Sequence, residues 1–244
     1  MKRRTFIGNT TLTVGALTLI PTMAFSQEKI SAEELIGKGN PDFIEKSGYR
    51  LRKSAAESFD KMKKKAQEAG IDIQVVSSYR DYDHQNRIWE RKYKRYTGQG
   101  LSAQESIEKI IEYSTIPGTS RHHWGTDLDL IDGNGDNTGD VLVPSKFHGN
   151  GPFCKFKEWM DNNANDFGFY LVYTDTYGRK GFNYEPWHYS YAPLSKGYLE
   201  DYKKLDVKTI LQEQKLLGSD AFTPAFIERY RTNNILDINP KLIS

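Results

Sequence analysis

Two histidines and an aspartate have the residue types and spacing of a catalytic metal site. His122 and Asp129 lie in the segment SRHHWGTDLD (residues 120–129), and His188 ends the distant segment EPWH. Zinc binds imidazoles and carboxylates, and three protein ligands leave the fourth position of a tetrahedral site open for water. Glu185, three residues before His188, is placed to act as a general base. The sequence therefore predicts a zinc hydrolase.

The spacing of the acidic residues fits a strand that carries ligands on one face. On a strand that includes both Asp127 and Asp129, the two carboxylates point to the same side. Such carboxylates are costly to bury unless they are paired or bound to metal. Gly125 allows the chain to turn before the strand, so that His122 meets Asp129. His188 must come from another strand, because it is 59 residues from Asp129.

The hydrophobic pattern predicts an α+β fold with a small, mainly antiparallel sheet flanked by helices. We predict helices over residues 41–69, 83–96, 102–113 and 152–167, and strands over residues 71–76, 126–131, 169–173 and 187–191. Residues 27–194 are expected to form a single domain. Residues 195–244 are expected to form a helical C-terminal extension.

Residues 1–26 have the pattern of an export signal. A basic start, KRR, precedes an apolar stretch, and small residues before Gln27 predict cleavage after Ser26. The pair Arg3-Arg4 resembles a twin-arginine signal, and an ordinary secretory signal that contains two arginines is the alternative. The apolar run is too short and too polar for a stable membrane span. The mature chain is expected to be periplasmic or associated with the cell wall.

The composition gives no indication of nucleic-acid binding and excludes a disulfide-bonded fold. The chain has 34 basic and 32 acidic residues, and three of the basic residues belong to the predicted signal. The remainder is nearly neutral, so nothing in its charge indicates nucleic-acid binding. Its single cysteine, Cys154, excludes an intramolecular disulfide. The sequence does not indicate an oligomeric state.

Three blocks of residues resemble a known family. The pattern Ser-x-His-x-x-Gly-x-x-x-Asp, followed by Glu-x-x-His, is similar to that of the LAS metallopeptidases and, among them, the VanY-type D-alanyl-D-alanine carboxypeptidases. The third block, Ser-x-Tyr-Arg followed by a glutamine, is present as residues 77–80 and Gln85. The blocks occur in the family order, and the resemblance spans roughly residues 51–191. Three ordered blocks are far more specific than one.

The resemblance implies a zinc ion bound by His122, Asp129 and His188, with Glu185 as the catalytic base. Zinc lowers the pKa of water to about 7, which makes hydrolysis possible at neutral pH. Glu185 can take a proton from water and pass it to the leaving amine.

The resemblance also implies a site for the end of a peptide. Arg80 is expected to hold the free C-terminal carboxylate of the substrate, because its planar guanidinium pairs with a carboxylate through two hydrogen bonds. Gln85 and Ser120 are expected to make further contacts with the peptide. Without the family match, the preferred interpretation of Arg80 is a surface partner of Asp81 or Asp83.

This chain departs from the family pattern at two positions. Asp127 stands where relatives commonly have alanine, and it is interpretable either as a carboxylate that orients an imidazole or as a rival ligand. Arg121 stands where relatives often have glutamate, and the sequence alone does not explain it. His123 points away from His122 in any regular conformation, which makes it a poor ligand.

The resemblance favours a zinc carboxypeptidase that removes the terminal D-alanine from peptidoglycan stem peptides. The alternatives are an L,D-carboxypeptidase and an endopeptidase that cuts cross-links, and Arg80 argues against the endopeptidase. A non-catalytic zinc-binding wall protein is the alternative from another class. The presence of Glu185 disfavours that alternative.

Overall fold

A computed structural model describes residues 29–46, 48–213 and 215–244. The predicted export signal, residues 1–26, lies outside the described residues. Within the described ranges, no helix has both the length and the apolar character needed to cross a membrane.

The described residues form helices and short strands that alternate along the chain. The helices are α1 (Ala32–Leu35), α2 (Lys53–Glu68), α3 (Tyr82–Gly98), α4 (Ala103–Ile110), α5 (Cys154–Asn163), α6 (Ala192–Tyr202), α7 (Val207–Glu213) and α8 (Pro224–Tyr230). The strands are β1 (Ile44–Lys46), β2 (Tyr49–Leu51), β3 (Ile73–Ser77), β4 (Asp127–Asp132), β5 (Phe169–Leu171) and β6 (His188–Tyr191).

The central sheet has four strands in the order β3-β4-β6-β5, and every neighbouring pair is antiparallel. Strand β4 is buried along its whole length, as is β6. Helix α2 covers the sheet with an apolar stripe at helical spacing, formed by Ala55, Phe59, Met62 and Ala66. The prediction of an α+β fold with a small antiparallel sheet and a helical C-terminal segment is confirmed.

The first predicted helix is wrong in its N-terminal half. Strands β1 and β2 form an antiparallel pair there, and the helix begins only at Lys53. In β2, Tyr49 and Leu51 are buried while Arg50 is exposed, which is the two-residue period of a strand. Leu51 also lies four residues before Ala55 and eight before Phe59, which is helical spacing. The hydrophobic pattern therefore predicted a helix that begins too early.

Two helix starts are fixed by side chains that accept hydrogen bonds from backbone N–H groups. Helix α4 begins with a capping box between Ser102 and Glu105, which confirms the predicted start. Helix α3 begins at Tyr82, one residue before the predicted start at residue 83. Its cap is Asp81, which accepts from His84 N at 2.7 Å, whereas Asp83 lies inside the first turn.

The C-terminal helices pack against the segment that leads into the SRHHWGTDLD block. The hydroxyl of Tyr230 accepts from Ile116 N at 3.1 Å and lies 2.9 Å from Thr119 Oγ1. The hydroxyl of Tyr202 donates to Gly118 O at 2.9 Å. These contacts are buried, so residues 195–244 support the segment before the metal-ligand block. The division of the chain at residue 194 stays a prediction.

Candidate metal centre

The register of the central sheet brings the predicted ligands together. In the β4–β6 pair, Asp129 lies opposite His188, and Asp127 lies opposite Ser190. Side chains at directly opposed positions lie on the same face of an antiparallel pair. The prediction that His188 belongs to a neighbouring strand therefore agrees with the structure, as does the prediction that Asp127 and Asp129 share a face.

His122, Asp129 and His188 form a buried cluster in which one ligand atom from each residue lies within 4.8 Å of the others. His122 Nε2 is 3.4 Å from Asp129 Oδ2, and His188 Nδ1 is 3.9 Å from Asp129 Oδ1. Ligand bonds of 2.0–2.2 Å in a tetrahedral site place neighbouring ligand atoms about 3.4 Å apart. The spacing of this cluster therefore suits a zinc ion.

Two buried polar atoms at the centre of the cluster support this fit. His122 Nε2 and Asp129 Oδ1 make no hydrogen bond within the described part of the chain. Buried polar atoms are normally satisfied, and leaving one unsatisfied costs about 1–3 kcal/mol. A cation bound between them would satisfy both.

A backbone carbonyl orients the first histidine. His122 Nδ1 lies 2.8 Å from Ser78 O, and because a carbonyl only accepts, Nδ1 carries the proton and Nε2 faces the cluster. Residues 121–124 form a single 3₁₀ turn that ends at Gly125, whose φ is +69°. A side chain at Gly125 would also collide with Phe43. The predicted need for glycine at this turn therefore has a structural reason.

Asp127 orients the second histidine. Its Oδ2 lies 3.0 Å from His188 Nε2, so Nε2–H donates to the carboxylate and Nδ1 faces the cluster. Asp127 also accepts from Arg121 Nε at 2.9 Å and from Ser190 Oγ at 2.6 Å. Asp127 is absent from the three-residue cluster. The geometry therefore favours the orienting interpretation of Asp127, and it gives Arg121 a partner that neutralises a buried charge.

The local charges favour a cation in the cluster. Burial lowers the pKa of His188, but Asp127, Glu185 and Asp129 outweigh burial and raise it to about 9. Burial raises the pKa of Asp129, but His122, His188 and Arg80 together bring it below its usual range. The surrounding carboxylates thus stabilise positive charge on the His188 ring, at one side of the cluster.

Glu185 lies beside the cluster without belonging to it. Its Oε2 is 3.0 Å from His188 Nδ1, and its backbone N–H donates to Tyr173 O at 3.1 Å. Burial, with a further contribution from Asp129, raises the pKa of Glu185, although His188 and Arg80 oppose the shift. A raised pKa brings a carboxylate closer to the range that suits a general base at neutral pH.

His123 serves the scaffold and is remote from the cluster. Its Nδ1 lies 2.6 Å from Arg80 O, and its Nε2 accepts from Gly118 N at 3.2 Å. Both ring nitrogens therefore have partners. Burial lowers the pKa of His123 to about 3, which keeps the ring neutral.

Arg80 presents a cation at the edge of the cluster. Its backbone N–H donates to His122 O at 3.1 Å, which ties the arginine to the ligand block. Arg80 Nη1 donates to Gln85 Oε1 at 2.9 Å, while Arg80 Nε is buried without a partner in the described ranges. No carboxylate of a described residue lies within 4 Å of the guanidinium, so pairing with Asp81 or Asp83 is not observed.

Gln85 and Ser120 occupy different positions around Arg80. Gln85 is buried behind the arginine, and its Nε2 donates to Thr115 O at 2.8 Å. Both ends of the Gln85 amide are therefore engaged, which suits a residue that positions Arg80. Ser120 lines the cleft beside His122 and accepts from His122 N at 3.3 Å. A direct contact of either residue with a peptide stays a prediction.

The metal cluster opens into a cleft of about 540 Å³. Arg80, Glu185 and the three ligand residues all line it, together with the aromatic side chains of Tyr113 and Trp187. The two aromatic rings contact each other at 6.3 Å between centroids. The cleft therefore brings Glu185, the Arg80 guanidinium and the candidate metal cluster around one space.

A model of the VanY family, described as D-alanyl-D-alanine carboxypeptidase, matches residues 48–194. The chain belongs to this family. The matched range contains all three sequence blocks, so the resemblance drawn from those blocks is confirmed. The C-terminal helices from residue 195 onward lie outside the match.

Individual relatives of the VanY family are distant from this chain. The bifunctional D-Ala-D-Ala dipeptidase and D-Ala-D-Ala carboxypeptidase VanXYC of Enterococcus gallinarum is 29% identical over 150 residues, which cover 58% of this chain and 71% of the relative. The matches span only 40% and 46% of two other curated relatives, a D-alanyl-D-alanine carboxypeptidase of Enterococcus faecalis and the putative carboxypeptidase YodJ of Bacillus subtilis.

Solved structures of VanY enzymes share the fold. VanYB in complex with D-alanine-D-alanine has a TM-score of 0.53 at 22% identity, covering 73% of this chain and 92% of that chain. A vancomycin-resistance D,D-pentapeptidase VanY in complex with Zn(II) has a TM-score of 0.52 at 23% identity, covering 68% and 85%. At these identities the likeness establishes the fold alone.

Some features of the site have no signal in the sequence. The Ser78 carbonyl that orients His122 is a backbone atom, and every residue has one. Tyr173, whose ring lies 5.2 Å from His188, belongs to no sequence block. Lys92 lines the cleft and shares a face of α3 with Gln85 and Ile88, but the sequence alone does not say that this face meets the cleft.

Proposed function

We propose that this VanY family member is a zinc carboxypeptidase that removes the terminal D-alanine from peptidoglycan stem peptides. The observation that carries the proposal is the placement of Arg80. A guanidinium without a carboxylate partner among the described residues lies at the edge of a cluster suited to zinc. A peptide carboxylate held there would present its last peptide bond to the metal site.

The metal ligands in this proposal are His122 Nε2, His188 Nδ1 and a carboxylate oxygen of Asp129. Zinc in such a site supplies Lewis acidity, which lowers the pKa of water and polarises a carbonyl group. The unsatisfied atoms of His122 and Asp129 and the spacing of the cluster support this assignment. A solved VanY enzyme of the same fold was crystallised with Zn(II), which supports the choice of metal.

The side chains of this chain would perform the proton transfers and hold the substrate. Glu185 would accept a proton from the attacking water and then donate it to the leaving amine. Arg80, fixed by Gln85, would bind the terminal carboxylate through its guanidinium edge. His188 would be kept in one tautomer by Asp127. The positions of Arg80 and His188 in this proposal are supported by hydrogen bonds already formed in the structure.

The substrate assignment rests on the family description and the predicted destination of the protein. The description names D-alanyl-D-alanine, and VanXYC is named for activity on D-Ala-D-Ala. Stem peptides of peptidoglycan lie outside the cytoplasmic membrane, which agrees with the export signal predicted for residues 1–26. We therefore propose a location in the periplasm or at the cell wall.

A set of defined peptides tests this proposal. The zinc-loaded protein is incubated with stem pentapeptides that end in D-Ala-D-Ala, with the same peptides carrying a C-terminal amide, and with tetrapeptides. Mass spectrometry should show loss of one alanine from the free-acid pentapeptide and little reaction of the amide. Release of alanine from the tetrapeptide alone would favour the L,D-carboxypeptidase alternative. Equal cleavage of acid and amide would favour the endopeptidase.

A further inference from the structure

One wall of the cleft is positively charged. Helix α3 contributes Ile88, Arg91, Lys92 and Arg95 to the lining, and these positions share one helical face at three- and four-residue spacing. We call Arg91, Lys92 and Arg95 the cationic wall. It lies in the same cleft as Arg80 and the metal ligands.

Asp140 lines the same cleft as the cationic wall but forms no ion pair with it. Within the described residues, no carboxylate lies within 4 Å of Arg91, Lys92 or Arg95, whereas the neighbouring Lys94 pairs with Glu90 at 3.1 Å. Lys92 Nζ donates to Ser114 Oγ at 2.6 Å, which holds the amine at the cleft surface. The charges of this wall are therefore available to an anion that enters the cleft.

Lys92 also connects the cationic wall to the reaction centre. Burial lowers its pKa, and Arg80 and Arg91 add to the shift, while Glu185 and Asp140 oppose it. Lys92, Arg80 and Glu185 all line the same cleft, so the wall and the reaction centre share one space. Arg95 is one helical turn farther along α3, about 4.5 Å from Lys92 along the helix axis. The wall thus extends away from the centre over the length of more than one peptide residue.

We propose that the cationic wall is a subsite for a second carboxylate of the substrate, located upstream of the scissile bond. The substrate class is then an acidic peptide that ends in D-Ala-D-Ala, and its upstream side-chain carboxylate is free and not amidated. The proposal rests on the proposed function, because Arg80 must take the terminal carboxylate for the wall to meet the residues before it. Several cations in one cleft also steer anionic substrates toward it.

Matched peptides test the proposal directly. N-acetylated pentapeptides that end in D-Ala-D-Ala carry one glutamate or one glutamine at each of the three upstream positions in turn. At one position or more, the glutamate peptide should be cleaved with a kcat/KM roughly 1.5- to fivefold higher than the glutamine peptide, as expected for exposed ion pairs. The preference should shrink as salt is added, because salt screens exposed charges. Equal rates at all three positions would overturn the proposal.

Variants on the same helix locate the effect. The double variant Arg91→Gln/Arg95→Gln and the single variant Lys92→Gln should each reduce the acid preference. In the double variant, the ratio of kcat/KM for the glutamate peptide to kcat/KM for the glutamine peptide should be close to one. Lys94→Gln is the matched control, since Lys94 lies on α3 outside the cleft lining, and it should keep the full preference. An unchanged preference in both wall variants would assign the carboxylate to another site.

Binding separates this proposal from the proposed function. The Glu185→Gln protein, loaded with zinc, is titrated with the glutamate and glutamine peptides in a calorimeter. If no peptide is cleaved by the native protein, the proposed function fails, yet tighter binding of the acidic peptide would still support the subsite. If peptides are cleaved but each glutamate and glutamine pair binds equally, the subsite fails and the proposed function stands.

Discussion

Asp127 determines which nitrogen of His188 faces the metal cluster. The carboxylate is fully buried and receives hydrogen bonds from His188, Arg121, Ser190 and the adjacent Thr126. Metal-bound histidines commonly donate their second N–H group to a carboxylate, which fixes the tautomer and the ring orientation. In this chain the carboxylate is supplied by strand β4, which also supplies the proposed ligand Asp129.

Removing the charge of Asp127 should weaken zinc binding. The double variant Arg121→Gln/Asp127→Asn avoids leaving Arg121 buried without a partner, which would itself destabilise the fold. We expect its zinc affinity to fall by about 10–100-fold, a range typical for loss of an orienting partner. Competition with a chromogenic chelator measures the affinity, and the exposed Asp136→Asn is the control. An unchanged affinity would show that Asp127 does not position His188.

Replacing Arg80 should affect only peptides with a free C-terminus. Arg80→Ala removes a charged hydrogen-bonding group in the cleft, and kcat/KM for free-acid peptides should fall by an amount equivalent to about 2–5 kcal/mol. C-terminally amidated peptides should lose little further activity. Arg87→Ala, on the exposed side of α3, is the control and should leave both rates unchanged. A similar loss for acid and amide peptides would contradict carboxylate recognition by Arg80.

At the scale of elements, strand β4 shows why much of the site was predictable. The alternation of Asp127 and Asp129 with apolar residues fixed the strand, and the side-chain period of two then placed both carboxylates on one face. Gly125 was readable as a turn, because glycine tolerates the positive φ of 69° that the backbone has there. These inferences depend on local geometry alone, which the sequence encodes.

Other elements depend on contacts that a local pattern does not contain. The β1–β2 pair replaces part of a predicted helix because Leu51 fits both periods and only its partner strand decides between them. Asp81 and Asp83 both have a side chain that can cap helix α3. In the structure the cap is Asp81, whose backbone is extended and whose side chain accepts from His84 N. The α3 wall requires knowledge of which helix face meets the cleft. Tertiary packing settles each of these cases.

The turn that carries His123 should make the fold sensitive to acid. The pKa of His123 is about 3 in the folded chain and about 6.5 when unfolded, so only the unfolded chain binds a proton between these values. Its contribution to stability is complete above pH 6.5 and is lost as the pH falls. The free energy of unfolding should therefore decrease by up to about 1.4 kcal/mol per pH unit below pH 6.

Denaturant unfolding of the metal-free protein between pH 4 and pH 7 measures this slope. His123→Gln keeps groups that can pair with Arg80 O and Gly118 N but does not titrate, so its slope should be smaller than that of the native chain. The exposed His148→Gln serves as the control and should retain the native slope. Equal slopes for His123→Gln and the native chain would show that His123 is not the group responsible.

At the scale of the whole molecule, the C-terminal helices are part of the support for the metal centre. Helix α8 contributes Tyr230 to a buried contact with Ile116 and Thr119, four residues and one residue before Ser120. Trp89 Nε1 on α3 donates to Leu217 O at 3.0 Å, which ties the extension to the helix that forms the cationic wall. The C-terminal segment therefore packs against both the segment before Ser120 and helix α3, which forms one wall of the cleft.

Tyr230→Phe should destabilise the whole chain. The substitution leaves Ile116 N buried without its partner, which costs about 1–3 kcal/mol in the free energy of unfolding. Urea denaturation measures the change, and Tyr177→Phe, at a fully exposed tyrosine, is the control. A stability equal to that of the native chain would mean that the C-terminal helices do not support the segment before Ser120.

We propose that Glu185 acts as the base beside a zinc ion held by His122, Asp129 and His188. Zinc content and the rate of D-alanine release, both determined for Glu185→Gln in one preparation, test this role of Glu185 and the ligand set together. We expect about one zinc per chain, as in the native protein, and a turnover reduced by about 10²–10⁴-fold. Loss of zinc from the variant would make Glu185 a ligand, and near-native turnover would mean that Glu185 is not the base.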